Sequence, residues 1–177
     1  MDETVKITPA LAHVSCAANL LVDGVTRVGD AMYRSVSAID GTHPYLYENP
    51  AIANHVSGTT FVDMGRQLLK AIGHVYHDVP LDSRFVLHGL EIEFLRWARL
   101  AVELEVTVTV VTAATRRPAA PRTFQATLVW RQEGHLVARA RSSFTSFSAA
   151  VEAKLMARQY EQAPASPEEP PAVAAAV

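Results

Sequence analysis

The chain has one cysteine, Cys16, so no disulfide can form within it, and a reducing cytoplasm is its natural setting. Cys16 sits in an apolar stretch with no nearby His and Asn pattern, which reads as a small buried hydrophobe rather than a nucleophile. A strong charge of either sign is also lacking. Sixteen Lys and Arg face eighteen Asp and Glu, a net charge of −2. The Arg116-Arg117 and Arg139/Arg141 groups are too small to make a basic field, so nucleic acid is not an expected partner. No apolar run approaches the ~20 residues of a membrane helix. The start, Met1-Asp2-Glu3-Thr4, is too acidic and polar for a signal peptide, so a soluble, cytoplasmic protein is expected. There is no glycine-rich phosphate loop, no nucleophile elbow and no Cys/His set with metal spacing. The seven His are scattered, so neither a metal nor a cofactor is expected.

What is present is an ordinary globular composition, 49% hydrophobic and 19% charged, over 177 residues. Residues 1–9 are a polar lead-in closed by Pro9. Residues 10–161 form one domain. Residues 162–177, with Pro164, Pro167, Pro170 and Pro171, read as a disordered tail. Within the domain, residues 13–22 are apolar enough for a strand, Asp23-Gly24 for a turn, and residues 28–39 for a second strand pairing back. A loop over 40–57 carries His43, Tyr45, Tyr47 and His55; it reads either as punctuation or as the lining of a site.

From Gly58 to about His77 the period becomes helical through Phe61, Leu68, Leu69, Ile72, Val75 and Tyr76, with Pro80 as a stop. Asp63 lies in the first turns, where the helix dipole favours an anion. Period two then takes over. Val86, Leu90, Ile92 and Phe94 form one face of residues 84–95. Leu100, Val102, Leu104, Val106, Val108 and Val110 alternate against Glu and Thr, as in a half-buried strand. A hairpin loop over 115–122 leads to alternating Phe124, Ala126, Leu128 and Trp130. Glu133-Gly134 turns into a last strand over 135–147, and 149–161 look helical. The order is two strands, one long helix, then four strands in meander. One helix cannot cover both faces of such a sheet, but a sheet curled round the helix, with dimerisation through edge strands, answers much of that problem. The expected fold is therefore α+β: a single hotdog domain, an antiparallel sheet wrapped around one central helix, working as a dimer.

The segment richest in chemistry runs from Asn54 to Gln67. Gly58 opens the helix and leaves its first N–H groups accessible to a carbonyl or phosphate oxygen. Asp63 and Arg66, three apart, share a helix face, and the polar stripe continues through Lys70 and His74. A solvated face with an i, i+3 ion pair would look the same. On a helix enclosed by sheet, however, an unpaired charge is costly, so Asp63 and Arg66 need each other or a ligand.

These same residues resemble the A-factor biosynthesis hotdog family, whose enzymes make γ-butyrolactone signalling precursors. His13 with Leu20-Leu21-Val22-Asp23 resembles the family's opening strand, and His43-Pro44-Tyr45-Leu46-Tyr47 its His-Pro-aromatic loop. Asn54-His55-Val56-Ser57-Gly58 resembles its Asp-His-Val-Pro-Gly. Phe61-Val62-Asp63-Met64-Gly65-Arg66-Gln67, followed by His74, Tyr76 and Val79-Pro80-Leu81, resembles its acidic-x-x-Arg-Gln helix. The family's acidic residue is usually Glu and its chains usually carry two repeats; here there are Asp63 and one repeat. More distantly, Gly58 and Asp63 resemble the helix start of the β-hydroxyacyl-carrier-protein dehydratases.

The resemblance implies transfer of a β-ketoacyl group, held on acyl-carrier protein or coenzyme A, to the hydroxyl of a small phosphorylated acceptor. Asp63 would accept the hydroxyl proton, and Arg66 would hold phosphate or the developing oxyanion. Gly58, Gln67 and His74 would contact substrate. A dehydratase is the alternative, with His43 or His55 as base and Asp63 as acid; it requires an imidazole facing Asp63. A thioesterase, or a non-catalytic hotdog subunit paired with an active homologue, also remains open. The partner for the site is a second copy or another hotdog protein.

Overall fold

The computed structural model describes residues 3–43, 55–112 and 121–162. Its elements are β1 (Val5–Lys6), α1 (Pro9–Ala12), a 3-10 turn (Ala17–Asn19), β2 (Gly24–Gly29), β3 (Met32–Ser37), α2 (Gly58–Tyr76), β4 (Arg84–Phe94), β5 (Leu104–Thr112), β6 (Arg122–Gln132), β7 (His135–Phe147) and α3 (Ala149–Gln162). The strands form one seven-stranded sheet, and every pairing is antiparallel. With α2 against its inner face, this is the hotdog architecture.

α2 matches its expected span closely. Ser57 caps it, its Oγ accepting from the Thr60 N–H (3.3 Å), and the His77 N–H closes the other end on the Gly73 carbonyl. Phe61, Met64, Leu68, Leu69 and Ile72 are buried at helical spacing. Opposite them, Leu104, Val106, Val108 and Val110 of β5 and Phe124, Ala126, Leu128 and Trp130 of β6 bury alternate side chains, as their period-two pattern requires. Full burial of a Leu, Val or Phe side chain contributes roughly 1.5–3 kcal/mol, so this two-layer core carries most of the stability.

The N-terminal third departs from the sequence reading. Residues 13–22 are not a strand: they contain the C-cap of α1, His13, and the 3-10 turn. Leu21 and Val22 are apolar because they are buried, not because they pair, and the Leu21 N–H goes to the Gln67 side chain instead of a ladder. Asp23-Gly24 is not a turn; Gly24 begins β2. A Cβ there would meet Thr4 Cγ2 at 2.9 Å, so glycine admits a close neighbour rather than bending the chain. The polar lead-in belongs to the fold, with β1 paired to β2 and Ile7 fully buried. Cys16 is exposed, not buried.

The strand order, β1-β2-β3-β5-β6-β7-β4, also corrects the expected meander. α2 carries the chain across the sheet, so β4 joins the far edge beside β7 rather than β5. The return crossing, residues 95–103, is held by the buried Gln132. Its Oε1 accepts from the Arg99 N–H (2.8 Å), and its Nε2 donates to the Arg99 and Val102 carbonyls. β4 contains a bulge: Leu87 faces Phe144 and Gly89 faces Ser143, leaving His88 as the extra residue. The bulge shifts the alternation. Phe85 and Leu87 therefore share a cavity wall with Leu90 and Ile92, while Val86, expected on that wall, does not line it. The expected loop 115–122 and the tail from 163 lie largely or wholly outside the described residues. Among the described residues, no helix is long and apolar enough to cross a membrane.

Candidate functional site

A cavity of about 220 Å³ opens between α2 and the sheet. Phe61, Val62, Gly65, Arg66, Leu69 and Lys70 form its helix wall. Phe85, Leu87, Leu90 and Ile92 of β4 stand opposite, with Leu128, Trp130, Ser142 and Phe144 as its floor. Gly65 makes the room. A Cβ there would stand 3.2 Å from Leu128 and 3.5 Å from Trp130, so the helix tolerates a glycine costing roughly 0.5–1 kcal/mol relative to Ala. A cavity of about 150 Å³ lined by Leu, Ile and Phe stays dry and takes up benzene; this one is larger and similarly apolar.

Asp63 and Arg66 meet at the edge of this cavity. Asp63 Oδ1 accepts from both Nε and Nη2 of Arg66 (2.6 Å each), and its Oδ2 accepts from Gln67 Nε2 (2.9 Å). The carboxylate is 12% exposed and the guanidinium side chain 44%. Arg66 lines the cavity; Asp63 stands beside it, bonded to Gln67, which in turn holds residues 19 and 21. Oδ2 keeps acceptor capacity for one more donor. Asp63 stands in the second turn of α2, not the first, so the helix dipole contributes little to holding it there.

Gln67 is fully buried and fully used. Its Oε1 accepts from the Leu21 N–H (2.9 Å), and its Nε2 donates to the Asn19 carbonyl and to Asp63. It fixes the carboxylate through one N–H and ties its other two groups to the 19–21 segment. His74 is similarly engaged. Its Nδ1 donates to the Val79 carbonyl (2.7 Å), and its Nε2 shares a hydrogen bond with His13 Nε2 (2.8 Å). Burial, then the charge of Lys70, holds His13 down at about 4, so His13 is neutral at pH 7. Both rings lie edge-on to Phe85, behind the end of the cavity.

The two loop histidines take different places, His43 beside the 19–21 segment that Gln67 holds and His55 in a separate recess. His43 Nε2 donates to the Leu20 carbonyl (3.3 Å). His55 bridges to Arg99 and packs on Trp97 in a second recess with Gly58, Phe94 and Arg96. Gly58 is the first helical residue, but the Phe94 ring lies 3.1 Å from where its Cβ would be, so close packing also explains the glycine.

Lys70, passed over as part of a polar stripe, lines the cavity beside Arg66. Burial, then Arg66, lowers its pKa to about 8. Trp130 and Ser142 were legible only as alternating strand residues. The one sequence signal for the cavity was a glycine, Gly65, in a helix interior. Among the described residues, no three His, Cys, Asp or Glu side chains gather as a metal site would need.

A family model described as the A-factor biosynthesis hotdog domain matches residues 2–148. No curated protein matches the chain significantly. Among solved structures, the dehydratase heterocomplex ApeI:P of Xenorhabdus doucetiae is similar, at TM-score 0.64 and 13% identity over 87% of this chain and 99% of that one. A hot-dog-like protein from Thermanaerovibrio acidaminovorans has TM-score 0.54 and 18% identity, over 73% and 90%. Zebrafish thioesterase superfamily member 2 has TM-score 0.54 and 15% identity, over 77% and 91%. At these identities the likeness is one of fold.

Proposed function

Because the chain belongs to the A-factor biosynthesis hotdog family, we propose that it acts on acyl groups carried as thioesters on a carrier protein or coenzyme A, transferring a β-ketoacyl group to a small phosphorylated hydroxyl acceptor. The observation that carries this reading is a charged pair, Asp63 and Arg66, held at the edge of a largely apolar cavity of about 220 Å³. The acceptor hydroxyl gives its proton to Asp63 Oδ2 as its oxygen bonds to the thioester carbonyl carbon. Collapse of the tetrahedral intermediate breaks the C–S bond, and the thiolate leaves and takes back a proton. Arg66, with Lys70 one turn further on, supplies positive charge for the oxyanion and the acceptor phosphate. Gln67 holds Asp63 in place for this role.

A second copy of the chain belongs against β4 in this reading. β4 is an edge strand of eleven residues, and Leu87 and Leu90, both exposed, form one wall of the cavity. A long apolar edge needs cover, and a partner strand there would close the cavity. Light scattering should find a dimer that Leu90→Lys dissociates.

The decisive test offers β-ketoacyl and β-hydroxyacyl thioesters to the purified chain, with and without dihydroxyacetone phosphate, and identifies products by mass spectrometry. An ester that forms only with the phosphorylated acceptor supports transfer. Free acid irrespective of acceptor would make the chain a thioesterase, an enoyl product a dehydratase, and binding without product a partner subunit.

A further inference from the structure

The two ends of the cavity are built differently. At the end nearer the start of α2, Phe61 forms part of the wall, and the same residue lines the recess that holds His55, Gly58 and Trp97. At the other end the helix wall stops at Lys70 and the β7 wall at Phe144. Gly73 and Ser146, next on those faces, do not line the cavity.

Phe85 stands across that second end. Its ring tip lies against Gly73: a Cβ there would be 3.2 Å from Phe85 Cε1 and 3.3 Å from Cζ. The ring meets His13 and His74 edge-on, at 5.5 and 5.3 Å between centroids, and Phe144 at 6.0 Å. Phe144 in turn stacks on Phe124 at 4.8 Å. Ring contacts therefore run from the C-cap of α1 across to β6, and the His pair behind Phe85 is tied to the Val79 carbonyl. Two features of the sequence seat this ring. Gly73 gives up a Cβ inside a helix, where glycine is unfavourable. The His88 bulge changes the phase of β4: regular alternation from Ile92 and Leu90 would bring Val86 and Arg84 to the wall, and the extra residue brings Leu87 and Phe85 instead. From Arg66, where the thioester is placed, to Gly73 is about 10 Å along the helix at roughly 1.5 Å per residue.

We infer that Phe85 is the stop that sets acyl-chain length: the chain lies along α2 from Arg66 with its terminal methyl against the Phe85 ring, and the cavity selects short to medium chains that end there. This rests on the thioester reading and adds to it the specificity for the chain.

The test measures binding of saturated acyl-pantetheine amides of increasing length to the intact chain by calorimetry. Each buried methylene should tighten binding about fourfold until the chain meets Phe85, beyond which added carbons gain nothing. Phe85→Ala should move that break to chains about three carbons longer, because a buried Phe side chain weighs about as much as three methylenes. Phe85→Leu should move it the same way by less, and it carries the test if a urea midpoint shows the alanine variant unfolded. Val62→Ala, on the helix wall away from that end, should leave the break in place. A break that stays put in the folded Phe85 variants, or moves as far in Val62→Ala, would overturn the inference and leave the thioester reading standing. Wild-type affinity that does not depend on chain length would do the same. Failure of every probe to bind would remove both.

Discussion

The two flanks of α2 follow different rules. Toward residues 9–22, β2 and β3, its polar side chains are matched by partners. Gln67 uses its three groups, His74 is bonded at both nitrogens, and the Tyr76 hydroxyl donates to the Val25 carbonyl (3.2 Å). Just beyond its end, the Tyr33 hydroxyl meets His77 Nε2 (3.0 Å), and burial with the nearby Arg122 holds His77 below its usual range. Toward β4 and β7 the same helix faces a cavity, an exposed edge strand, a half-buried ammonium and two orphaned polar atoms. The first flank is a scaffold in which the helix's own polar side chains are met internally, although Ser35 Oγ on β3 is buried without a partner among the described residues. On the second, Trp130 Nε1 and Ser142 Oγ have no partner among the described residues.

Substitutions can test that contrast, beginning with the strongest. Arg66→Ala should lower thioester turnover by about 10²–10³-fold, the scale of a lost oxyanion donor, with the urea midpoint nearly unchanged because the side chain is half exposed. Asp63→Ala should reduce turnover similarly; wild-type rates in both variants would remove the proposed site. On the scaffold flank the pattern reverses. Gln67→Leu strands the Leu21 N–H and the Asn19 carbonyl, and should cost about 3 kcal/mol in urea unfolding at fixed protein concentration. A loss well under 1 kcal/mol would mean this flank is no better satisfied than the other.

Smaller effects concern protons. The folded chain holds His13 neutral down to about 4, while the unfolded chain protonates it near 6.5. The unfolded state therefore binds more protons between those values. The contribution is present in full above 6.5 and is lost as pH falls toward 4. Urea midpoints should decline across that window, and His13→Gln should flatten the decline. Lys70 should show the least. Its folded value of about 8 lies below 10.5, so keeping it charged at neutral pH opposes folding, and that penalty lifts as pH rises from 8 toward 10.5. Lys70→Met should raise the midpoint slightly at neutral pH; a fall would show that the ammonium has a partner in solution.

Where periodicity was strong, the chain's elements could be read before any coordinates. α2, β5 and β6 have unbroken spacing over nine residues or more, so local preference and burial agree. Asp63 and Arg66 were legible for the same reason: an i, i+3 pair on a helix must share a face. Around residues 13–24 the apolar residues and the glycine answered to distant partners, α2 and Thr4, and local rules misread them.

The sequence alone therefore determined the helix, the core strands and which charged residues stand together on the helix face, because each depends on repeat spacing within one element. Only the tertiary structure decided that β4 sits at the far edge, that His88 bulges it, that Gln67 and His74 are consumed by the scaffold, and that Trp130 and Ser142 share a cavity floor. Each of those depends on contacts between residues far apart in the chain, and on whether a buried polar group finds a partner, which no local pattern encodes.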